Sequence, residues 1–284
     1  DAYEDQIDRA AENIRNADCV IIGAGAGAST AAGIQYGGKR FTDNFGEFIE
    51  KYGVHYMTDM YAAGFYPYPS EEAKWGYWSK HALMNRFDPP ALPLYTKLYD
   101  IVKSKEYFVL TTNVDHQFYK AGFDEKRIFA TQGDYGKIQC QKACHSKTYD
   151  AKELFRKMDE ARKDCLIPSE LVPKCPVCGG NMAMNLRCDN YFVEDEAWHE
   201  AADRYACFLE QNKDKKVVLL ELGVGFNTPI IIRFPFEKMV RENPSYSLIR
   251  LNMDEAVVPE SFGERAIGIG GDMAKAIADI RGLV

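Results

Sequence analysis

Two pairs of cysteines have the residue type and spacing of a metal site. Cys140 and Cys144 are separated by three residues, and Cys175 and Cys178, in the run CPVCGG, are separated by two. Four thiolates from two such loops form a tetrahedral zinc site that leaves no coordination position for water. The spacing therefore predicts a structural Zn²⁺ rather than a catalytic one. His145 lies beside Cys144 and is an alternative ligand for the looser first pair.

The other four cysteines have no such spacing. In a chain of 284 residues whose acidic start does not resemble a secretion signal, scattered thiols are expected more than disulfides. We therefore predict ordinary buried or loop thiols at Cys19, Cys165, Cys188 and Cys207.

A glycine-rich turn follows the first apolar run of the chain. Residues 23–28 read GAGAGA and match the GxGxxA form of a dinucleotide-binding turn, in which glycines let the backbone approach a pyrophosphate. Alone, this pattern is weak. A hydride-transferring enzyme of this class also has an acidic residue about 20 positions further on, at the end of a second strand. Asp43 has that spacing, but its surroundings, FTDN, are not typical of a strand end.

Polar residues or glycines also follow two later apolar runs. Asn113 and Asp115 come after residues 107–110, and the run 223–225, GVG, comes after residues 217–220. Ligands of parallel sheets bind outside the carboxyl ends of the strands, so these residues are candidates for binding. The alternative is turn chemistry, with Asp115 as a helix cap.

The elements that position these residues alternate along the chain. Apolar residues at helical spacing between Ile7 and Ile14 predict a first helix, and further helical patterns cover 94–102, 196–209 and 234–241. Buried strands are predicted from the apolar runs 19–22, 107–110, 217–220, 246–251 and 267–269. This alternation predicts an α/β fold, a Rossmann-like parallel sheet with helices on both faces.

Two segments interrupt the alternation. Residues 42–91 are rich in Tyr, Phe and Trp and read as helical with a proline-broken middle, whereas residues 134–185 contain the cysteine pairs. We predict a Rossmann-like domain of residues 1–41, 92–133 and 186–284, a helical insertion of residues 42–91 and a zinc module of residues 134–185. The aromatic residues either pack a small helical subdomain or form a lid or docking surface.

Composition excludes several classes of function. The net charge is −7 without a basic cluster, which argues against a nucleic-acid partner. No stretch approaches the roughly 18 consecutive apolar residues of a membrane span. We therefore expect a globular cytoplasmic protein.

The chain resembles the sirtuin family in several of these motifs. Residues 25–34 match the sirtuin signature GAGxSxxxGI in register, and Asn113 and Asp115 match the family's NxD element. The match breaks down after Ile34: the family usually continues PDFR, whereas this chain reads QYGGKRF, so the arginine's role passes to Arg40. The resemblance runs from about Cys19 to the end of the chain and is least secure over residues 42–91.

The resemblance implies NAD as co-substrate. In the family the asparagine of NxD lies near the nicotinamide ribose and the aspartate holds the carboxamide. GVG at 223–225 takes the place of the family's GTS motif, and Asn252 that of an asparagine contacting the adenosine ribose. The implied NAD-binding residues are Gly25, Ala26, Gly27, Ser29, Gly33, Ile34, Arg40, Asn113, Asp115, Gln132, Gly223, Val224, Gly225, Asn252, Met253, Asp272 and Met273.

Gln132 is the main departure from deacylating sirtuins. Those enzymes have a histidine followed by glycine after the NxD element, and this histidine deprotonates a ribose hydroxyl. Here the corresponding run is Thr131-Gln132-Gly133. A neutral amide can orient a nucleophile but cannot accept its proton. The exchange therefore favours transfer of ADP-ribose over deacylation, with Asn113, Asp115 and Gln132 as the catalytic residues.

Class M sirtuins resemble this chain in the same exchange, in the GAGAG turn and in a glycine-rich loop with Arg-Phe. The resemblance implies a protein ADP-ribosyltransferase whose substrate is a lipoylated H-like carrier of the glycine cleavage system. It also implies a macrodomain ADP-ribosyl hydrolase as a partner. In this role Asn113 positions the ribose, Asp115 the nicotinamide and Gln132 the acceptor side chain.

Two alternatives remain open from the sequence. The first is an NAD-dependent lysine deacylase in which His116 or a substrate group supplies the base, although His116 is expected to point along the helix that follows it. The second is a non-catalytic sensor of NAD or ADP-ribose.

Overall fold

The computed structural model describes residues 2–284, which divide into two compact units. The first unit combines the chain up to Gly33 with Ala91–Gln132 and Ala197–Val284. The second combines Ile34–Pro90 with Gly133–Glu196. The aromatic segment and the cysteine-containing segment, which the sequence analysis treats as separate insertions, therefore belong to one unit.

A six-stranded parallel sheet forms the first unit, in the strand order β3-β2-β1-β7-β8-β9. Its strands are β1 (Cys19–Ala24), β2 (Glu106–Thr111), β3 (Ile128–Ala130), β7 (Val217–Leu222), β8 (Tyr246–Asn252) and β9 (Ala266–Gly270). All six residues of β1 and all six of β7 are buried, because helices cover both faces of the sheet. The five strands predicted from apolar runs are confirmed, and the short edge strand β3 adds a sixth.

Within residues 2–284, seven α-helices flank this sheet. They are α1 (Ala2–Asn16), α2 (Ala26–Ala32), α7 (Pro93–Val102), α8 (Gln117–Lys120), α10 (Glu196–Gln211), α11 (Arg233–Glu242) and α12 (Met273–Arg281). Residues of α1, α7 and α12 pack on one face of the sheet, and residues of α10 and α11 on the other. The predicted α/β class, with a parallel sheet covered on both faces, is confirmed.

The second unit combines short helices with a small antiparallel sheet. Its helices are α3 (Gly38–Asn44), α4 (Gly46–Tyr52), α5 (Met60–Phe65), α6 (Glu71–Ala82) and α9 (Lys152–Ala161), and a π-helical turn covers Leu83–Phe87. Its strands are β4 (Gly133–Cys140), β5 (Tyr149–Asp150) and β6 (Met182–Leu186), in the order β5-β4-β6. Pro67 and Pro69 lie between α5 and α6, where the sequence analysis expects the proline-broken middle.

Aromatic residues of the second unit pack mainly against one another. Phe41, Phe45, Phe48 and Tyr77 are fully buried, and the rings of Phe41 and Phe45 stack with their centroids 5.2 Å apart. Phe45, Phe48 and Tyr77 belong to the predicted insertion 42–91, and for these three side chains the interpretation that the aromatic residues pack a small subdomain is correct. Other apolar side chains of the same segment are exposed: Val54, Tyr56, Tyr61 and Phe65.

Among residues 2–284, none of the helices combines the length and apolar character that crossing a bilayer requires.

A buried ion pair lies inside the parallel sheet. Glu221 of β7 and Arg250 of β8 are paired in the strand register, and both side chains are fully buried. Arg250 donates to both carboxylate oxygens of Glu221 and forms a second ion pair with Glu237 at 2.9 Å. Arg233, also buried, lies 4.0 Å from Glu221. Burial raises the pKa of the Glu221 carboxyl, and the two arginines oppose that effect.

Replacing one member of this pair tests its contribution to stability. We expect Glu221→Gln to lower the free energy of unfolding by about 3 kcal/mol, because two buried guanidinium groups would then share one carboxylate. Glu242→Gln is the matched control, since Glu242 pairs with Lys238 at 3.8 Å on the exposed side of α11. Its effect should be below about 0.5 kcal/mol. Denaturant unfolding measures the free energy of unfolding of both variants. Equal losses in the two variants would contradict a stabilising role for the buried pair.

Candidate active site and metal centre

The glycine turn is packed against a second turn of the first unit. A Cβ on Gly25 would lie 2.7 Å from the carbonyl oxygen of Gly223, and a Cβ on Gly27 would lie 2.8 Å from the Cα of Gly223. Gly223 itself has φ +64°, and its Cβ would lie 2.3 Å from the amide nitrogen of Ala28. The amide of Gly27 donates to the Gly223 carbonyl at 3.0 Å. The three glycines therefore allow the backbone after β1 to touch the backbone after β7.

Asn113 ties the end of β2 to this glycine turn. Its side-chain amide donates from Nδ2 to the carbonyl oxygen of Gly25 at 2.9 Å. Its backbone amide donates to Oγ1 of Thr111 at 3.0 Å. The side chain of Asn113 is half-buried, so the predicted ribose contact has both a fixed position and access to solvent.

Asp115 lies deeper than Asn113. Its side chain is 5% exposed; one oxygen accepts a short hydrogen bond from Oγ of Ser29, and the other accepts from the amide of Gln117 at 3.2 Å. The Gln117 bond closes a local turn before α8, whose N-cap position is His116 and not Asp115. The Ser29 bond joins Asp115 to helix α2, so Asp115 is a neighbour of the glycine turn.

Gln132 follows β3. Its side chain is half-buried, and its Oε1 accepts from Oγ1 of Thr131 at 3.3 Å. The carbonyl of Thr131 in turn accepts from the indole of Trp198 at 3.1 Å. These two hydrogen bonds hold the Thr131-Gln132 segment in place. The side-chain amide of Gln132 is neutral and cannot act as a general base.

His116 is oriented as expected for a residue that begins a helix. It precedes α8 with φ 68°, and its ring stacks on that of Tyr119 with the centroids 4.2 Å apart. This stacking directs the imidazole along α8.

The turn after β7 and the loop after β8 are joined by hydrogen bonds. The Val224 carbonyl accepts from Nδ2 of Asn252 at 3.1 Å and from Nη1 of Arg233 at 3.0 Å. Oδ1 of Asn252 accepts from the backbone amides of Asp254 and Glu255. Asn252 is 8% exposed and uses both ends of its amide within the protein, so it positions these loops.

Glu255 adds a further bond between the same loops. Its carboxylate accepts from the amide of Phe226 at 3.2 Å, and a Cβ on Gly225 would lie 2.9 Å from the same carboxylate. Glycine at 225 therefore permits this contact. Glu255 and Arg233 are not predicted from the sequence, because an arginine eleven residues after the end of β7 carries no distinctive pattern.

Three of the predicted NAD-binding residues, Met253, Asp272 and Met273, differ in exposure. Asp272 caps α12 by accepting from the amide of Lys275 at 3.2 Å, and Met273 is 4% exposed. Met253, in contrast, is 61% exposed. Met253 is therefore the most accessible of the three for a ligand.

Arg40 belongs to the second unit and is held by that unit's own acceptors. Its guanidinium donates to the Gln35 carbonyl at 2.8 Å, to Oδ1 of Asn85 at 2.7 Å and to the Met84 carbonyl at 2.9 Å. Burial lowers the pKa of Arg40. Arg40 fixes the loop that follows Ile34, and Ile34 itself is 3% exposed.

The four predicted zinc ligands meet in the second unit. The sulfurs of Cys140, Cys144, Cys175 and Cys178 all lie within 4.8 Å of one another. The Cys140–Cys178 and Cys144–Cys175 sulfur distances are 3.7 and 3.5 Å. Such separations fit sulfurs about 2.3 Å from a shared zinc ion.

Backbone amides donate to one of these sulfurs, that of Cys175. The amides of Val177 and Cys178 both donate to Sγ of Cys175 at 3.4 Å. The bond from Cys178 is the main reason that the pKa of Cys175 falls to about 6. Nδ1 of His145 lies 3.1 Å from Sγ of Cys144, and its Nε2 is 2.7 Å from the Tyr149 hydroxyl. His145 therefore lies beside the four-sulfur set as a hydrogen-bonding neighbour.

The other cysteines lie outside this cluster. Cys19 and Cys165 are buried, and Cys188 is exposed in the loop after β6, as expected. Cys207 differs from the expectation, because it is exposed on helix α10.

Loss of one sulfur should release the metal. We expect Cys178→Ser to lose its zinc and to lower the melting temperature, because an incomplete sphere binds the ion weakly and the second unit depends on it. Elemental analysis of the purified chain and thermal unfolding with and without a chelator measure these effects. Cys207→Ser, a change of the same type on α10, should retain the metal, and equal zinc content in both variants would refute the site.

Comparison with known proteins identifies two relatives that carry a functional name. A "Protein ADP-ribosyltransferase" from Staphylococcus aureus is 39% identical over 265 residues, which is 93% of this chain and 83% of that protein. A "Probable bifunctional ADP-ribose hydrolase/ADP-ribosyltransferase" from Fusarium oxysporum is 31% identical over 283 residues, 94% of this chain but only 46% of that longer protein. No protein-family model matches the chain.

Solved structures show the same fold at low sequence identity. A Sir2 enzyme aligns with a TM-score of 0.59 at 16% identity and covers 99% of this chain and 97% of its own. A Sir2 homologue in complex with NAD aligns with a TM-score of 0.60 at 16% identity, covering 97% and 94%. The fold is therefore that of the Sir2 proteins, and the 39% identity to the bacterial relative shows that the chain belongs to the sirtuin-like family of protein ADP-ribosyltransferases.

Proposed function

We propose that this protein transfers ADP-ribose from NAD to a protein acceptor and releases nicotinamide. The observation that carries the proposal is a neutral amide, Gln132, in a site that otherwise has the asparagine, aspartate and glycine turn of a sirtuin. The name of the bacterial relative supports the same reaction.

The proposed reaction breaks the bond between C1′ of the nicotinamide ribose and the pyridinium nitrogen. Nicotinamide leaves as a neutral molecule with the bonding electron pair, and an oxygen of the acceptor supplies a new pair to C1′. A carboxylate acceptor carries no proton to remove, so the step needs no general base. A step without a general base is consistent with an amide at position 132, which can orient the acceptor by hydrogen bonding.

Two side chains of the first unit would handle the nicotinamide end of NAD. Gly25 accepts from Nδ2 of Asn113, which leaves Oδ1 of Asn113 to accept from a ribose hydroxyl. The carboxylate of Asp115 would accept from the carboxamide NH₂, while Ser29 holds it in place. Both groups bind NAD and stabilise the departure of its leaving group without removing a proton from the acceptor.

Zinc would have a structural role in this protein. Four sulfur ligands complete a tetrahedral sphere, so the ion would brace the second unit and offer no position to a substrate. This agrees with the absence of a metal requirement in the proposed step.

The acceptor we propose is a lipoylated H-like carrier protein. Its support is the likeness of Gln132, the GAGAG turn and the Arg-Phe loop to class M sirtuins. We further propose a macrodomain hydrolase that removes the modification. The Fusarium relative, named for both ADP-ribose hydrolase and ADP-ribosyltransferase activities, supports this pairing of functions.

Intact-mass spectrometry tests the transfer directly. After incubation with NAD, a lipoylated carrier should gain one ADP-ribose, and Asn113→Ala should lower the rate at least about 100-fold because it removes the group that holds the ribose. Asn16→Ala, on the exposed end of α1, is the matched control and should leave the rate unchanged.

An acyl-lysine peptide serves as the second substrate in the same assay. Loss of its acyl group without any gain of mass on the carrier would overturn the proposal in favour of a deacylase. Binding of NAD without reaction of either substrate would favour a sensor.

The pH dependence of transfer tests the absence of a histidine base. We expect the wild-type rate to be nearly constant between about pH 6 and 8, and Gln132→His to add an inflection near the ordinary histidine pKa of about 6.5. Below that inflection the imidazolium carries a positive charge beside the developing cation at C1′, so the rate of Gln132→His should fall there although the step needs no base. A wild-type inflection that disappears in His116→Gln would instead assign the base to His116.

A further inference from the structure

Tyr95 is a buried residue that contacts two of the proposed NAD-binding side chains, those of Ser29 and Asn113. It is the third residue of α7 and is fully buried. Its ring packs edge-to-face on Phe118 with the centroids 4.9 Å apart. Its hydroxyl forms a short hydrogen bond with Oγ of Ser29 and lies 3.5 Å from Nδ2 of Asn113. One hydroxyl thus joins helix α2 to the loop after β2.

The direction of each hydrogen bond in this group follows from donor and acceptor chemistry. The carboxylate of Asp115 can only accept, so the single hydroxyl proton of Ser29 is donated to it. Ser29 must then accept from the Tyr95 hydroxyl. The Tyr95 oxygen in turn accepts from Nδ2 of Asn113. The chain of donors runs from Asn113 through Tyr95 and Ser29 to Asp115.

This chain fixes which end of the Asn113 amide faces a ligand. The Gly25 carbonyl is an acceptor, so Nδ2 must point toward it at 2.9 Å. The second hydrogen of Nδ2 goes to Tyr95. With both hydrogens used, the remaining hydrogen-bonding atom of the side chain is the acceptor Oδ1. The arrangement suits a ligand that presents a hydroxyl, as the ribose of NAD does.

We propose that Tyr95 is a positioning residue that presents Oδ1 of Asn113 to the nicotinamide ribose and, through Ser29, orients the Asp115 carboxylate. The inference rests on the proposed function and extends it to a residue outside the recognised motifs. Tyr95 acts only through its neighbours and does not touch the reacting atoms. Its role concerns the nicotinamide riboside half of NAD and not the adenosine diphosphate half.

The test compares two ligands by calorimetry. NAD carries the nicotinamide riboside, whereas ADP carries only the adenosine diphosphate. For Tyr95→Phe we expect NAD affinity to fall about tenfold, the size of one well-placed hydrogen bond, and ADP affinity to change less than about twofold. General damage to the fold would weaken both ligands alike, so equal losses would overturn the role.

Tyr99→Phe is the matched control. Tyr99 lies one turn further along α7, and its ring also packs on a phenylalanine, Phe123, with the centroids 5.2 Å apart. The substitution removes the same atom from a half-buried ring, and NAD affinity should be unchanged.

A double-mutant cycle with Ser29→Ala tests the chain itself. If Tyr95 acts through Ser29, the double variant should bind NAD no more than about twofold more weakly than the weaker single variant. If the two separate losses of NAD affinity multiply in the double variant, Tyr95 and Ser29 act independently. That result would overturn the proposed chain of hydrogen bonds.

The wild-type titration separates this inference from the function on which it rests. A wild-type protein that does not bind NAD would overturn the proposed function together with the role of Tyr95. A wild-type protein that binds NAD, with Tyr95→Phe indistinguishable from it, would overturn the role of Tyr95 alone.

Discussion

Close contact between two backbone turns is the constraint on which the candidate site depends. Gly25 and Gly27 touch Gly223 at distances that would exclude a Cβ. This contact places the Gly25 carbonyl where Asn113 reaches it and fixes the start of α2, which carries Ser29. The same glycines are usually explained by the approach of a pyrophosphate. Here they bring two strand ends together, and the candidate site lies at those ends.

The two units illustrate what sequence reasoning can predict. The parallel sheet was predictable because its strands are buried on both faces and therefore read as continuous apolar runs between glycine or polar residues. The zinc ligands were predictable because thiolates at close spacing have few other uses. The antiparallel sheet of the second unit was not predicted, since β5 has two residues and β4 contains two glycines and two charged side chains.

The sequence predicted the motif residues of the candidate site but not the residues that hold them in place by hydrogen bonds. Asn113, Asp115 and Ser29 belong to recognisable patterns, whereas Tyr95 lies on the buried side of a helix between Leu94 and Leu98, as any core residue would. Asn252 was predicted to contact a ribose, but its amide is engaged by Val224 and by backbone amides. Hydrogen bonds between residues distant in sequence leave no local pattern, so only the structure identifies such supports.

Glu221 and Arg250 have a further consequence, one that concerns how the chain folds. They stand opposite each other on neighbouring parallel strands, in a largely apolar interior that also contains Arg233. If β8 slipped along β7 by one residue, Glu221 and Arg250 would no longer face each other, while both would remain out of water. Such a mispaired intermediate would be strongly disfavoured, whereas apolar side chains alone would tolerate it more readily. The pair thus disfavours sheets with a shifted register, independently of how much it stabilises the native state.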